Sequence, residues 1–216
     1  MSSMIDGQKI SQALIEVANT IERNKDYLCA LDSEVGDGDH GVSMTIGMRT
    51  ARRTLMALQS PTPESAFRAV AEAFADEVGA ASGALYEGGF AAAARATAGK
   101  SRLDTTEDWA AIFEAIAHEM QAIGKAKLND KTLIDAWLPA AQALRQAATE
   151  GLPLSEGLRR ATAAAKAGVE NTKHLIPKRG RASRLGERAR GYQDAGATSA
   201  YLIIEALERS LLANNT

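Results

Sequence analysis

Residues 31–44, LDSEVGDGDHGVSM, set Asp32, Asp37 and Asp39 on a backbone interrupted by Gly36, Gly38 and Gly41. The aspartates are five and two residues apart, whereas side chains that share a helix face are three or four apart. On a loop that glycine allows to turn sharply, they can converge. Converging carboxylates repel one another unless a cation neutralises them. Hard oxygen donors of this kind suit magnesium, which combines a few carboxylates with water and phosphate oxygens. A solvated acidic loop capping the next helix is the plain alternative.

Calcium is the rival ion, because DGDHG matches the opening of a calcium-binding loop. That loop needs a bidentate glutamate eleven residues after Asp37, and the residue there is Met48, so the calcium reading fails. A magnesium cluster alone does not identify a reaction, and two further loops narrow it. Gly79, Ser82 and Gly83 in VGAASGALYEGG stand just before a helix, where amides and the Ser82 hydroxyl suit a phosphate; close packing is the other use of such small residues. Arg181, Arg184, Arg188 and Arg190 precede DAGATS at residues 194–199, a guanidinium supply followed by a second glycine-containing helix start. Glu34 either supports a metal-bound water or is solvated. Lys131 and Thr132 either begin a helix or face the site. His118 and His174 read as helix-surface residues, and Met44 and Met48, one turn apart, as packing residues. Trp109 and Trp137 read as core or interface, which leaves a homodimer open.

The elements that must position these residues are helical. Aromatics are only 5% of the 216 residues and alanine is abundant, which favours closely packed helices over β-branched strands. Ile10, Leu14, Val17, Ile21 and Leu28 trace one face of a first helix ending near residue 31. Further helices are expected at 44–58, 63–78, 84–98, 107–123 and 132–148, then one reaching about 175 and one at 197–212. Pro63 suits a first helical turn, and Thr105 and Thr106 suit a cap. Eight helices, short connections and no strand pattern predict an all-α, antiparallel fold, with residues 1–216 as one domain.

Composition excludes several functions. Charged residues at 24% and hydrophobic residues at 45% are ordinary for a globular chain. A net charge of −2 provides no overall field for nucleic acid or membrane, and the arginine run lacks interleaved stacking aromatics before Tyr192. The single cysteine, Cys29, rules out an internal disulfide framework and reads as a small core residue. With no signal-peptide pattern and no long apolar run, a cytoplasmic protein is expected.

Together the loops resemble the nucleotide-binding subunit of dihydroxyacetone kinase, the DhaL or DAK2-type domain. The matching strings are GDGDHG, GAASG, DKTLIDAW, KRGRASRLGER and QDAGATS, in family order across nearly the whole chain. The resemblance implies an eight-helix barrel with its nucleotide site in the loops at one end, holding ADP or ATP through two Mg2+ ions. It assigns metal binding and catalysis to Asp32, Asp37 and Asp39. It assigns nucleotide contacts to His40, Gly41, Val42 and Ser43, to Ala81 and Ser82, and to Gly124, Leu133, Arg181, Asp194, Ala195 and Gly196. Leu133 suits a wall for adenine, and His40 suits a nucleotide-facing role over a structural hydrogen bond. Ser43, Asn129 and Ala195 depart from the asparagine, glycine and proline usual at these places. The family holds its ketose covalently on a separate subunit, so a DhaK-type partner is implied. A phosphotransferase-system subunit or exchanging ATP would supply the phosphoryl group. The alternatives are a kinase subunit for a four-carbon ketose such as erythrulose, or a catalytically silent nucleotide-binding regulator.

Overall fold

Asp6 opens the first helix by accepting a hydrogen bond from the Lys9 amide at 2.9 Å, satisfying one of the amides that a helix start leaves unpaired. The structure is a computed structural model describing residues 4–79 and 81–213; Ala80 of GAASG and both extremes of the expected 1–216 domain lie outside them. Among the described residues there are nine α-helices and no strand. They are α1 (Gly7–Arg23), α2 (Lys25–Ser33), α3 (His40–Ala57), α4 (Pro63–Glu77), α5 (Ala81–Ala96), α6 (Thr106–Gly124), α7 (Ile134–Thr149), α8 (Leu154–Asn171) and α9 (Ala195–Leu212). Between α8 and α9 lie two 3-10 segments, Thr172–His174 and Arg181–Ala189. One hydrophobic core draws on all nine helices, so the chain is a single all-α domain.

The ninth helix comes from a division of the expected first one. At Asn24 the backbone takes φ −99° and ψ 11°, and the Asn24 side-chain amide donates to the Thr20 carbonyl at 2.8 Å. Beyond the break Leu28 is still fully buried, so the apolar register continues across it. Elsewhere the start signals act as expected. Thr62 and Ser65 form a capping box with Pro63 in the first turn of α4, and Thr105 and Asp108 form another on α6. The helix expected to reach residue 175 stops at Asn171 and tightens into the 3-10 turn Thr172–His174. The run expected as plain loop contains the 3-10 segment Arg181–Ala189, interrupted at Gly186.

Eight helices pack in cyclic order, α1 on α3 and then successively to α9, which returns to α1; α2 lies against α3 and α9. Alternate connections gather at opposite ends. At one end the Ile5 amide donates to Asp104 at 2.8 Å, and the Thr106 hydroxyl donates to the Leu152 carbonyl at 2.6 Å. These bonds tie the start of α1 to the α5–α6 connection, and the start of α6 to the α7–α8 turn. The α2–α3, α6–α7 and α8–α9 connections and the start of α5 border a cavity at the other end.

Few aromatic rings are present, yet they form a continuous chain of contacts through the core, stacked at Tyr86–Phe90 and Phe67–Phe90 and edge-on from Phe67 to Trp137. Ring centroids lie 5.3 Å apart for Phe74–Tyr86, 6.3 Å for Tyr86–Phe90, 6.5 Å for Phe67–Phe90 and 6.4 Å for Phe67–Trp109. Phe113 meets Trp109 at 6.5 Å and Trp137 at 5.5 Å, edge-on in both. Such pairs each add about 0.5–1.5 kcal/mol beyond the burial of their area, so they stiffen the ring of helices behind the cavity. Both tryptophans are fully buried core residues, which removes them as carriers of a dimer interface. Met44 and Met48 are buried as expected, and His118 and His174 are exposed, the latter in a 3-10 turn. Among the described residues, no helix is long and apolar enough to cross a membrane.

Candidate functional site

The acidic loop begins where α2 tightens. The Val35 and Gly36 amides both donate to the Asp32 carbonyl, at 3.1 and 2.5 Å, turning the chain out of the helix. Gly36 leaves room for the Asp32 carboxylate, which a Cβ there would strike. Gly38 then adopts φ 78°, a left-handed conformation that glycine takes without strain. The loop returns so that the His40 amide donates to Asp32 Oδ2 at 3.3 Å. As a result Asp32, Asp37 and Asp39 each offer a carboxylate oxygen, all within 4.8 Å of one another. Three anions this close repel one another, and their donor set fits a hard divalent cation such as magnesium.

An arginine lies against them. The Arg181 guanidinium pairs with Asp37 and approaches Asp39 at 3.5 Å, with its side chain 56% exposed and those of Asp37 and Asp39 47% and 50% exposed. Arg181 comes from the 3-10 segment more than 140 residues along the chain from the acidic loop, so the motif-level pairing of acid and arginine is a spatial one.

The cavity holds roughly 310 Å3, at the small end of the range for ligand sites. Asp32, Asp37, Asp39, His40 and Arg181 border it with Ala81 and Ser82 at the start of α5, Gly124 at the end of α6, Leu133 before α7, and Asp194, Ala195 and Gly196 at the start of α9. Gly41, Val42 and Ser43 do not border it. Gly41 packs α3 on α2, where a Cβ would overlap the Lys25 carbonyl and stand 2.8 Å from Cys29 Sγ. Val42 is exposed, and the Ser43 amide makes the helical bond to the Asp39 carbonyl at 2.9 Å. What these three contribute is the first turn of α3, whose N-cap Asp39 makes no side-chain capping bond. Glu34 and Arg184 are exposed and outside the lining. The wall around Leu133 extends to Leu85, Met120, Ala126 and Ile134, an apolar surface suited to a flat heteroaromatic ring.

Of the two alternatives for His40, the structural hydrogen bond is present. His40 borders the cavity, and its Nε2 lies 2.9 Å from Ser199 Oγ, which also meets the Tyr86 hydroxyl at 3.2 Å. Burial lowers the affinity of the His40 imidazole for a proton, with the Asp32 charge opposing. Asp194 caps α9 by accepting from the Ala197 amide at 2.7 Å. Burial, reinforced by the charge of Asp135 and Asp32, pushes its pKa up to about 7.

The sequence reading missed Ser199 and Asp135, and left Lys131 undecided. Asp135 is 1% exposed and accepts from the Asn129 amide at 2.5 Å and the Thr132 amide at 2.8 Å, closing the turn before α7. Burial raises its pKa against those hydrogen bonds. Asn129 and Lys131 both adopt left-handed φ, 69° and 61°, so the asparagine that stands where glycine is usual keeps a conformation asparagine tolerates. The DKTLIDAW string contained Asp135, and QDAGATS contained Ser199; their membership in these strings was the available signal.

Residues 34–209 match the DAK2 domain family. The PEP-dependent dihydroxyacetone kinase 2 ADP-binding subunit DhaL of Listeria innocua is 35% identical over 214 residues, 98% of both chains. The corresponding ADP-binding subunit of Escherichia coli is 33% identical, over 90% of this chain and 92% of that one. A crystal structure of the dihydroxyacetone kinase from C. freundii in complex with AMP-PNP and Mg2+ superposes with a TM-score of 0.73 at 26% identity, covering 97% of this chain and 35% of that one. The chain thus spans about a third of that kinase, but nearly the full length of the two bacterial subunits. On the matched residues and on these relatives, the chain belongs to the DAK2 domain family.

Proposed function

We propose that this chain is the ADP- or ATP-binding phosphotransfer subunit of a dihydroxyacetone-type kinase, acting in the cytoplasm on a short ketose held by a separate DhaK-type subunit. The observation that carries the reading is the convergence of Asp32, Asp37 and Asp39 within 4.8 Å beside a cavity with one apolar wall. In this reading the three aspartates hold two magnesium ions. Phosphates lie between the first turn of α3 (residues 40–43), the start of α5 at Ala81 and Ser82, and Arg181. The base rests against Leu133 and Gly124, and the turn at Asp194, Ala195 and Gly196 closes the site.

Helix N-termini and an arginine suit this role because both present positive charge and N–H donors to phosphate oxygens. Bound magnesium supplies neutralisation of the phosphates and alignment of the transferring group. The chain's own contribution is positioning: the acidic loop fixes where the phosphates sit, and the apolar wall fixes the base. In-line transfer also needs the acceptor hydroxyl held close, and that positioning is assigned to the partner. Both bacterial relatives are named as PEP-dependent, which favours a phosphotransferase-system donor over exchanging ATP.

The test is product formation by the purified chain with ATP or with a phosphorylated carrier protein, each with and without a ketose-loaded DhaK-type subunit. Dihydroxyacetone and erythrulose serve as alternative acceptors. Turnover is expected only when the partner is present. Robust phosphorylation of free ketose by the chain alone would overturn the two-subunit reading. Mg–ADP binding without turnover in any combination would identify a silent regulator instead.

A further inference from the structure

The segment that carries Arg181 has little apolar anchorage of its own: between residues 175 and 192 only Pro177 and Ala189 are buried. Its attachment is polar and centres on one buried ammonium. Lys131, 2% exposed, donates from Nζ to the carbonyls of Leu175 at 3.3 Å, Ala189 at 2.7 Å and Tyr192 at 2.8 Å. A lysine ammonium has three protons, and these acceptors use all three. They belong to both ends of the segment, so Lys131 closes it like a clasp. Asp130 secures the same segment from the neighbouring position. Its carbonyl accepts from the Lys178 amide at 3.0 Å, and its carboxylate pairs with Lys178 at 3.4 Å and Arg179 at 3.7 Å.

The aim of Lys131 is itself fixed. Its left-handed φ of 61° is held by Asp135, which binds the amides on both sides, Asn129 and Thr132. A lysine bordering a nucleotide site would ordinarily be read as a phosphate ligand. Here every proton is already committed to a backbone carbonyl, so binding phosphate would mean releasing part of the clasp.

We propose that Lys131, oriented by Asp135, is a positioning residue that clasps segment 175–192 over the acidic loop and so delivers Arg181 to the nucleotide. The delivery half of this inference rests on the function proposed above; the clasp itself does not. Its loss leaves three carbonyls short of a donor at the two ends of the segment, that of Ala189 in a buried bond, while the ring of helices keeps its core.

The experiment compares wild type, Lys131→Met, Arg181→Ala and the double variant, with two readouts. The first is limited trypsin digestion of the nucleotide-free protein, because the segment is rich in exposed arginines. Lys131→Met should be cut there about tenfold faster or more, with the helical circular dichroism retained. The second is Mg–ADP affinity by calorimetry. Lys131→Met should weaken binding about tenfold, and adding it to Arg181→Ala should cost less than about threefold more, since Lys131 acts through Arg181. Wild-type cleavage rates in Lys131→Met, or fully additive losses in the cycle, would overturn the proposal. If Lys131→Met does not fold, Lys131→Gln, which keeps a shorter two-proton donor, takes its place under the same criteria. If wild type fails to bind Mg–ADP at all, the functional reading falls, and the cleavage arm alone decides the clasp.

Discussion

Replacing Arg181 with alanine separates two interactions that share one guanidinium. Arg181 pairs with Asp37 and Asp39, and all three side chains are about half exposed. Pairs so open to solvent contribute only about 0–1 kcal/mol, so Arg181→Ala should leave the fold intact. The same pairing competes with a cation for the carboxylates. Removing it should therefore tighten binding of Mg2+ alone, by up to about fivefold for about 1 kcal/mol. With nucleotide present the balance reverses, because a charge-assisted hydrogen bond from Arg181 to a phosphate contributes about 1.5–3 kcal/mol. ADP titrated at saturating Mg2+ should then bind about 10- to 150-fold more weakly to Arg181→Ala than to wild type. Two calorimetric titrations, Mg2+ alone and ADP in Mg2+, measure the opposite signs directly. Arg184→Ala is the control: Arg184 is exposed and outside the cavity lining, and its loss should change either affinity by less than about 0.5 kcal/mol. Unchanged ADP affinity in Arg181→Ala, or equal losses in both variants, would refute the reasoning and point to a diffuse electrostatic patch.

Other consequences are equally measurable. Asp194 has its pKa raised from 3.8 to about 7 in the folded chain, so folding takes up a proton between those values and stability falls as pH rises through that window. About three pH units correspond to at most about 4 kcal/mol. Asp194→Asn keeps a capping acceptor and loses the charge, so melts in chelator should show a flatter profile from pH 4 to 7 and the largest gain above pH 7; parallel curves would contradict the burial argument. Mg–ADP at about 100 times its dissociation constant should stabilise wild type by roughly 2.7 kcal/mol, and chelation should reverse the gain in a thermal melt.

How much of this was legible beforehand depended on whether the signal was local. Helix starts at Pro63 and Thr106 could be read because their caps lie within a few residues: Thr62 with Ser65, and Thr105 with Asp108. The acidic loop was legible for the same reason, since its glycines and aspartates are neighbours in sequence. The division between α1 and α2 was hidden because Leu28 keeps the apolar register across Asn24. Lys131 was undecided because its partners are backbone carbonyls 44 to 61 residues away. Every residue carries such a carbonyl, so no residue type marks one as an acceptor. Gly41, Val42 and Ser43 share a motif with the cavity-lining residues, but Gly41 has no side chain and those of Val42 and Ser43 lie outside the lining, leaving the backbone of α3 as their contribution.

Calorimetry of ADP with wild type, Asp37→Ala and Asp39→Ala, each with and without Mg2+, tests the central assignment most directly. Both aspartates are about half exposed and crowd like charges together, so removing either should spare the helical circular dichroism. The account predicts that wild type binds ADP only with Mg2+ and that both variants lose that binding. ADP affinity unchanged in both variants would contradict the metal site, and with it the proposed phosphotransfer function.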